Sequence, residues 1–162
     1  VTQYTMAGVA TGTSWEWQNG SGFNARDITI YNNILYLLED NGHPLYASTI
    51  YAFTLAGVLI STVATGLNQT SSPHGLMYHE GEFLLAENNG RVYVYTLAGA
   101  YTGKVFNLQS GLDNLKGLTY DGTKFWGLSS STNSFKDIIP TRSLGISSKV
   151  STDGGVVYTR IL

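Results

Sequence analysis

Apolar residues in this chain come in short runs separated by polar turns, and no stretch keeps a helical period over three turns. Three segments share one layout, in which an apolar strand, a polar turn and a second apolar strand follow one another. They are RDITIYNNILYLLEDN from Arg26, HGLMYHEGEFLLAENN from His74 and KGLTYDGTKFWGLSSS from Lys116. Turn residues between two apolar runs are typical of β-hairpins. The pattern therefore predicts an all-β protein.

The three hairpins begin 48 and 42 positions apart, close to the ~40–45 residues of a four-stranded propeller blade. After the first two hairpins comes a third strand, IYAFTLAG or RVYVYTLAG, and then a fourth, VLISTVAT or AYTGKVFNL. Alternation places Val92 and Val94 on one face of the third strand and Tyr93 and Tyr95 on the other. Bulk on both faces is typical of a sheet packed between two neighbouring sheets. We predict a single β-propeller domain over residues 1–162, built from four-stranded antiparallel blades.

The two ends of the chain decide how such a ring would close. The N-terminal VTQYTMAGVATGTSWEW matches the third and fourth strands of a blade, and residues 145–162 contain a strand, a Gly-rich turn and a last strand. We expect four blades, the last one composed of both termini, because closure removes exposed sheet edges. Residues 156–161 also resemble a third strand, so three blades per chain in a six-bladed dimer is an alternative. A piece of a longer propeller, or another all-β arrangement, also stays open.

The composition argues against two classes of binding partner. Charged residues make up 12% of the chain, with 9 Lys+Arg against 11 Asp+Glu, so no strong field attracts nucleic acid or an anionic membrane. We expect neither as a partner. No apolar run approaches the ~20 residues that span a bilayer. The chain has no cysteine, which excludes disulfides, thiolate metal sites and thiol nucleophiles.

The segments PHGL from Pro73 and KGLTYDG from Lys116 resemble the strand openings of NHL-repeat, SMP-30-like and streptogramin-lyase-like propellers. This resemblance extends from Arg26 to Ser130 and implies the fold far more strongly than the function. The YVYTLAG strand and the GLTYDGTKFW hairpin are also similar to repeats in phage and microbial surface proteins. That similarity implies a binding role by association.

The repeat aligns one set of candidate ligand-binding residues. First strands line the channel of a propeller, so the residues that open them converge on one face; these residues are Arg26, His74 and Lys116. The ends of the second strands lie beside them and carry Glu39, Glu87 and Ser129. Two interpretations stand side by side. The basic groups form an anion-binding mouth, or each pairs with its neighbour in a structural ring.

An enzyme is the alternative function. Streptogramin-lyase-like propellers imply His74 as an acid or base, but that family needs further histidines at the channel. Here His43 lies in a loop and His79 lies about five residues along the same strand, ~17 Å away. The resemblance to SMP-30-like lactonases implies Ca²⁺ held by oxygens such as those of Glu39 and Glu87. We expect no cofactor, because Arg26 and Lys116 would oppose a metal, and keep Ca²⁺ with a lactonase or lyase as the alternative.

Three tryptophans are a second group of candidates. Trp15 and Trp17 occupy alternating positions and face one side of an outer strand, and Trp126 belongs to an inner strand. Exposed tryptophans stack on sugar rings, whereas buried ones pack between blades. Residues 131–149 break the repeat, and such departures often contact a partner.

The sequence therefore predicts a non-catalytic propeller that binds a carbohydrate or an anionic small molecule at the channel mouth. The chain would be a monomer or would self-associate through its outer strands. A further alternative is a structural module of a virion or cell-surface assembly.

Overall fold

The computed structural model describes residues 1–16, 24–40, 48–65, 73–107, 114–131 and 134–138. These residues form thirteen strands and no helix, which confirms the all-β prediction. Within them, accordingly, no helix is long and apolar enough to cross a membrane. The strands are β1 (Thr2–Tyr4), β2 (Ala10–Ser14), β3 (Asn24–Tyr31), β4 (Ile34–Asp40), β5 (Thr49–Thr54), β6 (Leu59–Ala64), β7 (Pro73–His79), β8 (Glu82–Glu87), β9 (Arg91–Thr96), β10 (Tyr101–Asn107), β11 (Leu115–Tyr120), β12 (Phe125–Ser129) and β13 (Ser134–Ile138).

The strands form four antiparallel sheets in chain order. We name them the N-terminal hairpin (β1–β2), blade 1 (β3–β6), blade 2 (β7–β10) and blade 3 (β11–β13). The first strand of blade 2, β7, contacts the first strands of both neighbouring blades, β3 and β11. First strands are therefore innermost, and the sheets follow one another as the blades of a β-propeller do.

Two apolar cores sandwich blade 2 between its neighbours. The core toward blade 1 consists of Leu38, Ile50, Leu76, Phe83, Leu85 and Tyr95. The core toward blade 3 consists of Met77, Leu84, Ala86, Val92, Val94 and Leu115, with Leu118 and Phe125 packed against it. Valines and tyrosines of β9 thus face opposite cores, as the alternation predicts. Each large side chain buried in this way contributes roughly 1.5–3 kcal/mol.

One turn recurs in three hairpins and explains the repeated TLAG sequence. In blade 2 the Thr96 amide donates to the Ala100 carbonyl (2.9 Å), and the Gly99 amide donates to the Thr96 carbonyl (2.9 Å). The Thr96 hydroxyl also accepts from the Ala100 amide (3.1 Å). Gly99 has a φ of +82°, a left-handed conformation that favours glycine. The same three bonds recur around Thr54 of blade 1 and Thr5 of the N-terminal hairpin.

The N-terminal hairpin has the structure of the outer half of a blade. The Thr11 hydroxyl donates to the Gln3 carbonyl (3.2 Å), as the Thr102 hydroxyl donates to the Val94 carbonyl in blade 2 (2.8 Å). The next residue in each strand is a glycine, with φ of +84° and +80°. The predicted match of β1–β2 to third and fourth strands is therefore confirmed.

This hairpin packs on blade 1 in the way that blade 1 packs on blade 2. The Trp15 ring lies 4.9 Å from the Phe53 ring and faces Gly57, the turn glycine of blade 1, where a Cβ would lie 2.5 Å from Trp15 Cγ. Val63 on β6 faces Gly99, the turn glycine of blade 2, in the same manner. The contact between an outer strand and the next turn is thus repeated.

Blade 3 corrects one expectation from the sequence. The stretch 131–149 was expected to break the repeat, but Ser134–Ile138 is a regular third strand that pairs with β12 without a shift. Residues 139–162 lie outside the described residues, so closure of the ring stays a prediction.

Candidate functional site

Arg26, His74 and Lys116 occupy the same position in their three blades. Each is the extra residue of a β-bulge at the start of a first strand. In blade 2, for example, the residues on either side of His74 pair with consecutive residues of β8, Glu87 and Ala86. A bulge re-aims its side chain relative to the rest of the strand. The alignment made from the sequence therefore corresponds to one structural position, at one end of the innermost strands, which we call the bulge pole.

Two of these three residues contact each other across a blade boundary. Lys116 Nζ donates to Nε2 of His74 (3.2 Å) and to Oδ1 of Asn88 (3.0 Å). His74 is 9% exposed. A lysine of blade 3 thus contacts two side chains of blade 2, and neither of them is a carboxylate.

The backbone around Asn88 is fixed by the loop before blade 3. The Asn114 amide donates to the Asn88 carbonyl (2.6 Å), and the Asn114 carbonyl accepts from the Ser130 amide (3.1 Å). Asn114 itself has a φ of +59°, which asparagine tolerates better than most residues. These bonds fix the backbone that carries the Asn88 side chain.

Arg26 forms an ion pair within its own blade. Its Nη2 donates to Oδ2 of Asp40 (2.9 Å), with the two side chains 30% and 10% exposed. The pairing interpretation named Glu39, whereas this contact is made with the next residue, Asp40. The bulge is the physical reason, because Ala25 takes the position opposite Glu39 and Arg26 has none.

Glu39 is buried on the face of blade 1 that also carries Leu35, Leu37 and Tyr51. It is 1% exposed, and within the described residues its Oε1 has no hydrogen-bond partner. Burial raises the pKa of Glu39, while a hydrogen bond from Tyr51 opposes the shift.

Glu87 and Ser129 are fully buried at the same strand position in blades 2 and 3. Glu87 Oε2 accepts from Nδ2 of Asn89 (2.8 Å), and Ser129 Oγ lies 2.9 Å from Oγ of Ser131. These contacts support a structural role for the row.

The residues considered for metal binding are dispersed. In the part of the chain that the structure describes, no group of three His, Asp or Glu residues could hold a metal ion. The His79 ring packs edge-on against Tyr120 and Phe125, with centroids 4.6 and 4.9 Å away. His43 lies outside the described residues. The Ca²⁺ alternative stays untested.

Of the predicted tryptophan candidates, the structure describes Trp15 and Trp126, which lie in different sheets. Trp15 is packed against Phe53. Trp126 Nε1 donates to Oδ2 of Asp121 (2.6 Å) near the opposite end of blade 3. The Asp121 carboxylate also accepts hydrogen bonds from the Lys124 and Thr123 amides. The hydrogen bond from the Lys124 amide has the largest effect on the pKa of Asp121, and all of these bonds lower it. Trp17 lies outside the described residues.

Sequence reasoning missed a polar junction between blades 1 and 2. Asp27 Oδ2 accepts from the Leu76 amide (2.8 Å), and Thr29 Oγ1 accepts from the Tyr78 amide (3.3 Å). Burial raises the pKa of Asp27, although hydrogen bonds from the amides of Leu76 and Ile28 oppose the shift. The available signal was an aspartate inside the apolar strand RDITIY.

The equivalent junction between blades 2 and 3 is made by glycine. Gly75 follows the bulge residue of blade 2 as Asp27 follows that of blade 1. A Cβ at Gly75 would lie 3.3 Å from the backbone of Gly117 and 3.1 Å from Cβ of Ala86. The innermost strands of blades 2 and 3 therefore lie in close contact at this point, with no space for a side chain at Gly75.

Comparisons with known proteins identify no family for this chain. No protein-family model and no curated protein sequence matches the chain. Among solved structures it is similar to the computationally designed Ika4 protein, with 11% identity over 75% of this chain and 94% of that chain and a TM-score of 0.46. It is also similar to BamB from Moraxella catarrhalis, with 14% identity, 83% of this chain, 49% of that chain and a TM-score of 0.44. The chain thus spans about half of that BamB chain.

Proposed function

We propose that the chain is a non-catalytic binding module that takes a saccharide or an anionic small molecule at the bulge pole. The observation that supports it is the Lys116 ammonium, held between His74 and Asn88 at the boundary of two blades. Neither contact is to a carboxylate, so neither pairs the Lys116 ammonium with an opposite charge. An ammonium has three donors, and these contacts use two.

The other polar groups near this position favour a ligand with several hydroxyl or acid oxygens. Arg26 already forms an ion pair with Asp40, so it contributes hydrogen-bond donors more than net charge. Asn88 and Asp40 add acceptors. Mixed donors and acceptors on a rigid backbone match a sugar, whose hydroxyls donate and accept, or a carboxylated or sulfated small molecule.

The alternative to this proposal is an enzyme, as the family resemblances imply. A lactonase or lyase would need a metal or an acid–base group beside His74, and His74 Nε2 is engaged by Lys116. A binding role requires no such group, and we therefore prefer it.

The test compares two lysine variants. Lys116→Gln removes the cation at the bulge pole, whereas Lys104→Gln removes an exposed lysine that pairs with Glu82 elsewhere on blade 2. Thermal unfolding is followed with increasing sulfate, and ionic strength is held constant with chloride. We expect sulfate to stabilise the wild type and Lys104→Gln and to have at most a small effect on Lys116→Gln. Equal stabilisation of all three proteins would contradict an anion site at this pole.

A glycan array addresses the saccharide. We expect bound glycans to be lost in Lys116→Gln and kept in Trp126→Ala, whose indole lies near the other end of blade 3. The reverse pattern would move the site to Trp126, and no bound glycan together with no sulfate effect would remove the proposal.

A further inference from the structure

Two tyrosines are stacked across the boundary between blades 1 and 2, at the end of the innermost strands opposite the bulge pole. Tyr31 is the last residue of β3, and Tyr78 is the next-to-last residue of β7. Their ring centroids lie 3.7 Å apart, with 13° between the ring planes. Tyr31 is 41% exposed, whereas Tyr78 is half-buried and packs against the core toward blade 1. The pair is thus anchored on one side and open to solvent on the other.

The hydroxyl groups and the backbone of this pair are also fixed. The Tyr78 hydroxyl accepts from the Gly81 amide (3.1 Å), and a hydrogen bond with Tyr31 is the main cause that raises the pKa of Tyr78. The Tyr78 amide donates to Thr29 Oγ1 of β3 (3.3 Å). Because the rings are nearly parallel and their hydroxyls lie side by side, the ring carbons next to the two hydroxyls also lie opposite each other.

The corresponding position between blades 2 and 3 carries a different pair. In the alignment of the three hairpins, His79 takes the place of Tyr31 and Tyr120 takes the place of Tyr78. The rings of His79 and Tyr120 meet edge-on, with centroids 4.6 Å apart and 64° between the ring planes. Contact between blades at this level does not require two phenols, and the stacked tyrosines distinguish the first of these boundaries from the second.

Stacked phenols in this arrangement are suited to oxidative coupling. A one-electron oxidant takes one electron from each phenol, and the two hydroxyl protons leave for solvent. The two phenoxyl radicals then form a carbon–carbon bond between the ring carbons next to the oxygens, and the hydrogen on each of these carbons moves to its oxygen and restores the phenol. The chain loses two electrons and two protons, and the oxidant gains the electrons. Coupling requires both rings in contact, and the fold supplies that contact before oxidation.

We propose that Tyr31 and Tyr78 form an oxidative cross-linking site, at which a one-electron oxidant joins blades 1 and 2 through a dityrosine bond and so fastens them. The two residues lie 47 positions apart in the chain. A covalent link across a loop of this length stabilises the folded protein chiefly because it restricts the unfolded chain. The site lies at the other end of the innermost strands from the bulge pole and does not depend on the binding role of that pole.

Photo-oxidation of the full chain tests the site. Dilute protein receives a short flash with tris-bipyridyl ruthenium as the sensitiser and persulfate as the final electron acceptor. We expect a monomeric product that is two hydrogen atoms lighter than the chain and shows the fluorescence of dityrosine. Digestion after glutamate separates Tyr31 from Tyr78 at Glu39, and mass spectrometry should then find these two tyrosines joined.

Two phenylalanine variants distinguish stacking from exposure. Tyr31→Phe keeps the ring and removes the hydroxyl, whereas Tyr120→Phe does the same at a tyrosine of similar exposure, 37%, that packs against His79 and Phe125. We expect the dityrosine fluorescence of the monomer to fall about tenfold in Tyr31→Phe and to be unchanged in Tyr120→Phe. Equal fluorescence from all three proteins, dityrosine in dimers alone, or a cross-link mapped to another pair would overturn the proposal.

Thermal unfolding measures whether the bond fastens the two blades. The cross-linked monomer should unfold about 5–10 °C above the untreated chain. Irradiated Tyr31→Phe is the control for other oxidative damage and should show no rise in Tm. A cross-linked monomer with the Tm of the untreated chain would show that the bond does not fasten the blades and would overturn that part of the proposal.

Discussion

At the residue after the bulge, the innermost strands of blades 1 and 2 meet through polar side chains, whereas those of blades 2 and 3 meet at glycines, through backbone. At the first junction, Asp27 and Thr29 reach across to the amides of Leu76 and Tyr78. At the second, Gly75 stands in the position of Asp27 and the backbone of Gly117 lies against it. The repeated sheet thus determines which strands are neighbours, and the residue after each bulge determines how the gap is filled.

The glycine junction should be the more sensitive of the two. Gly75→Val introduces branched carbon atoms where even one Cβ is closer to Ala86 and Gly117 than ordinary contact allows. We expect a loss of about 3 kcal/mol in the free energy of unfolding, measured by urea denaturation. Gly117→Ala is the matched control, because a Cβ there meets nothing within 4 Å. A Gly75→Val protein as stable as the control would mean that the strands are farther apart than described.

Removal of the carboxylate tests the polar junction. Asp27→Ala leaves the amide of Leu76, a buried residue, without its acceptor, and we expect the unfolding free energy to fall by about 2 kcal/mol. Asp27→Asn keeps one acceptor oxygen and should lose less. If both variants are as stable as the wild type, the bond to Leu76 makes no net contribution.

Thr29→Val should have a smaller effect at the same junction. It keeps the shape of the side chain and removes the hydroxyl that accepts from the Tyr78 amide at 3.3 Å. A loss of about 1 kcal/mol is expected from urea denaturation. Thr13→Val on the exposed strand β2 serves as a control for the intrinsic effect of the substitution. A larger loss for Thr13→Val would rule out a special role for Thr29.

The polar junction should also respond to pH in a way that the glycine junction cannot. Burial raises the pKa of Asp27 above that of the unfolded chain. The folded protein therefore holds this proton more tightly, and the resulting stability is complete at low pH and is lost as the pH rises through the folded pKa. The unfolding free energy of the wild type should fall relative to that of Asp27→Asn as the pH rises from below the ordinary pKa of an aspartate, about 3.9, through the raised pKa of Asp27. A constant difference across this range would show that Asp27 is not perturbed by burial.

The sequence predicts the structure best where the same local pattern occurs more than once in the chain. The paired TLAG segments predicted third and fourth strands, and the structure shows the same threonine–glycine turn at Thr54 and Thr96 and again at Thr5. The alignment of Arg26, His74 and Lys116 likewise identified one structural position. Repetition made these predictions possible, because three copies of a local pattern can be aligned with one another along the chain.

The partners of individual side chains could not be predicted in the same way. The alignment gave Glu39 as the neighbour of Arg26, but a bulge displaces Arg26 from the ladder and Asp40 accepts its hydrogen bond. The contact of Lys116 with His74 depends on how two sheets are inclined to each other, which no periodicity in one strand records. Asp27 was overlooked for the same reason, since its acceptor role is visible only beside β7.

The turn glycines affect which side chains the outer strands can carry. Gly57 faces the indole of Trp15, while Gly99 faces the much smaller Val63. A side chain at either turn position would set a minimum distance between the turn and the outer strand opposite it. Glycine has only a hydrogen atom there, so either a large or a small residue can lie opposite the turn. The outer strands can therefore exchange bulky and slender side chains at that position while the spacing of successive sheets stays the same.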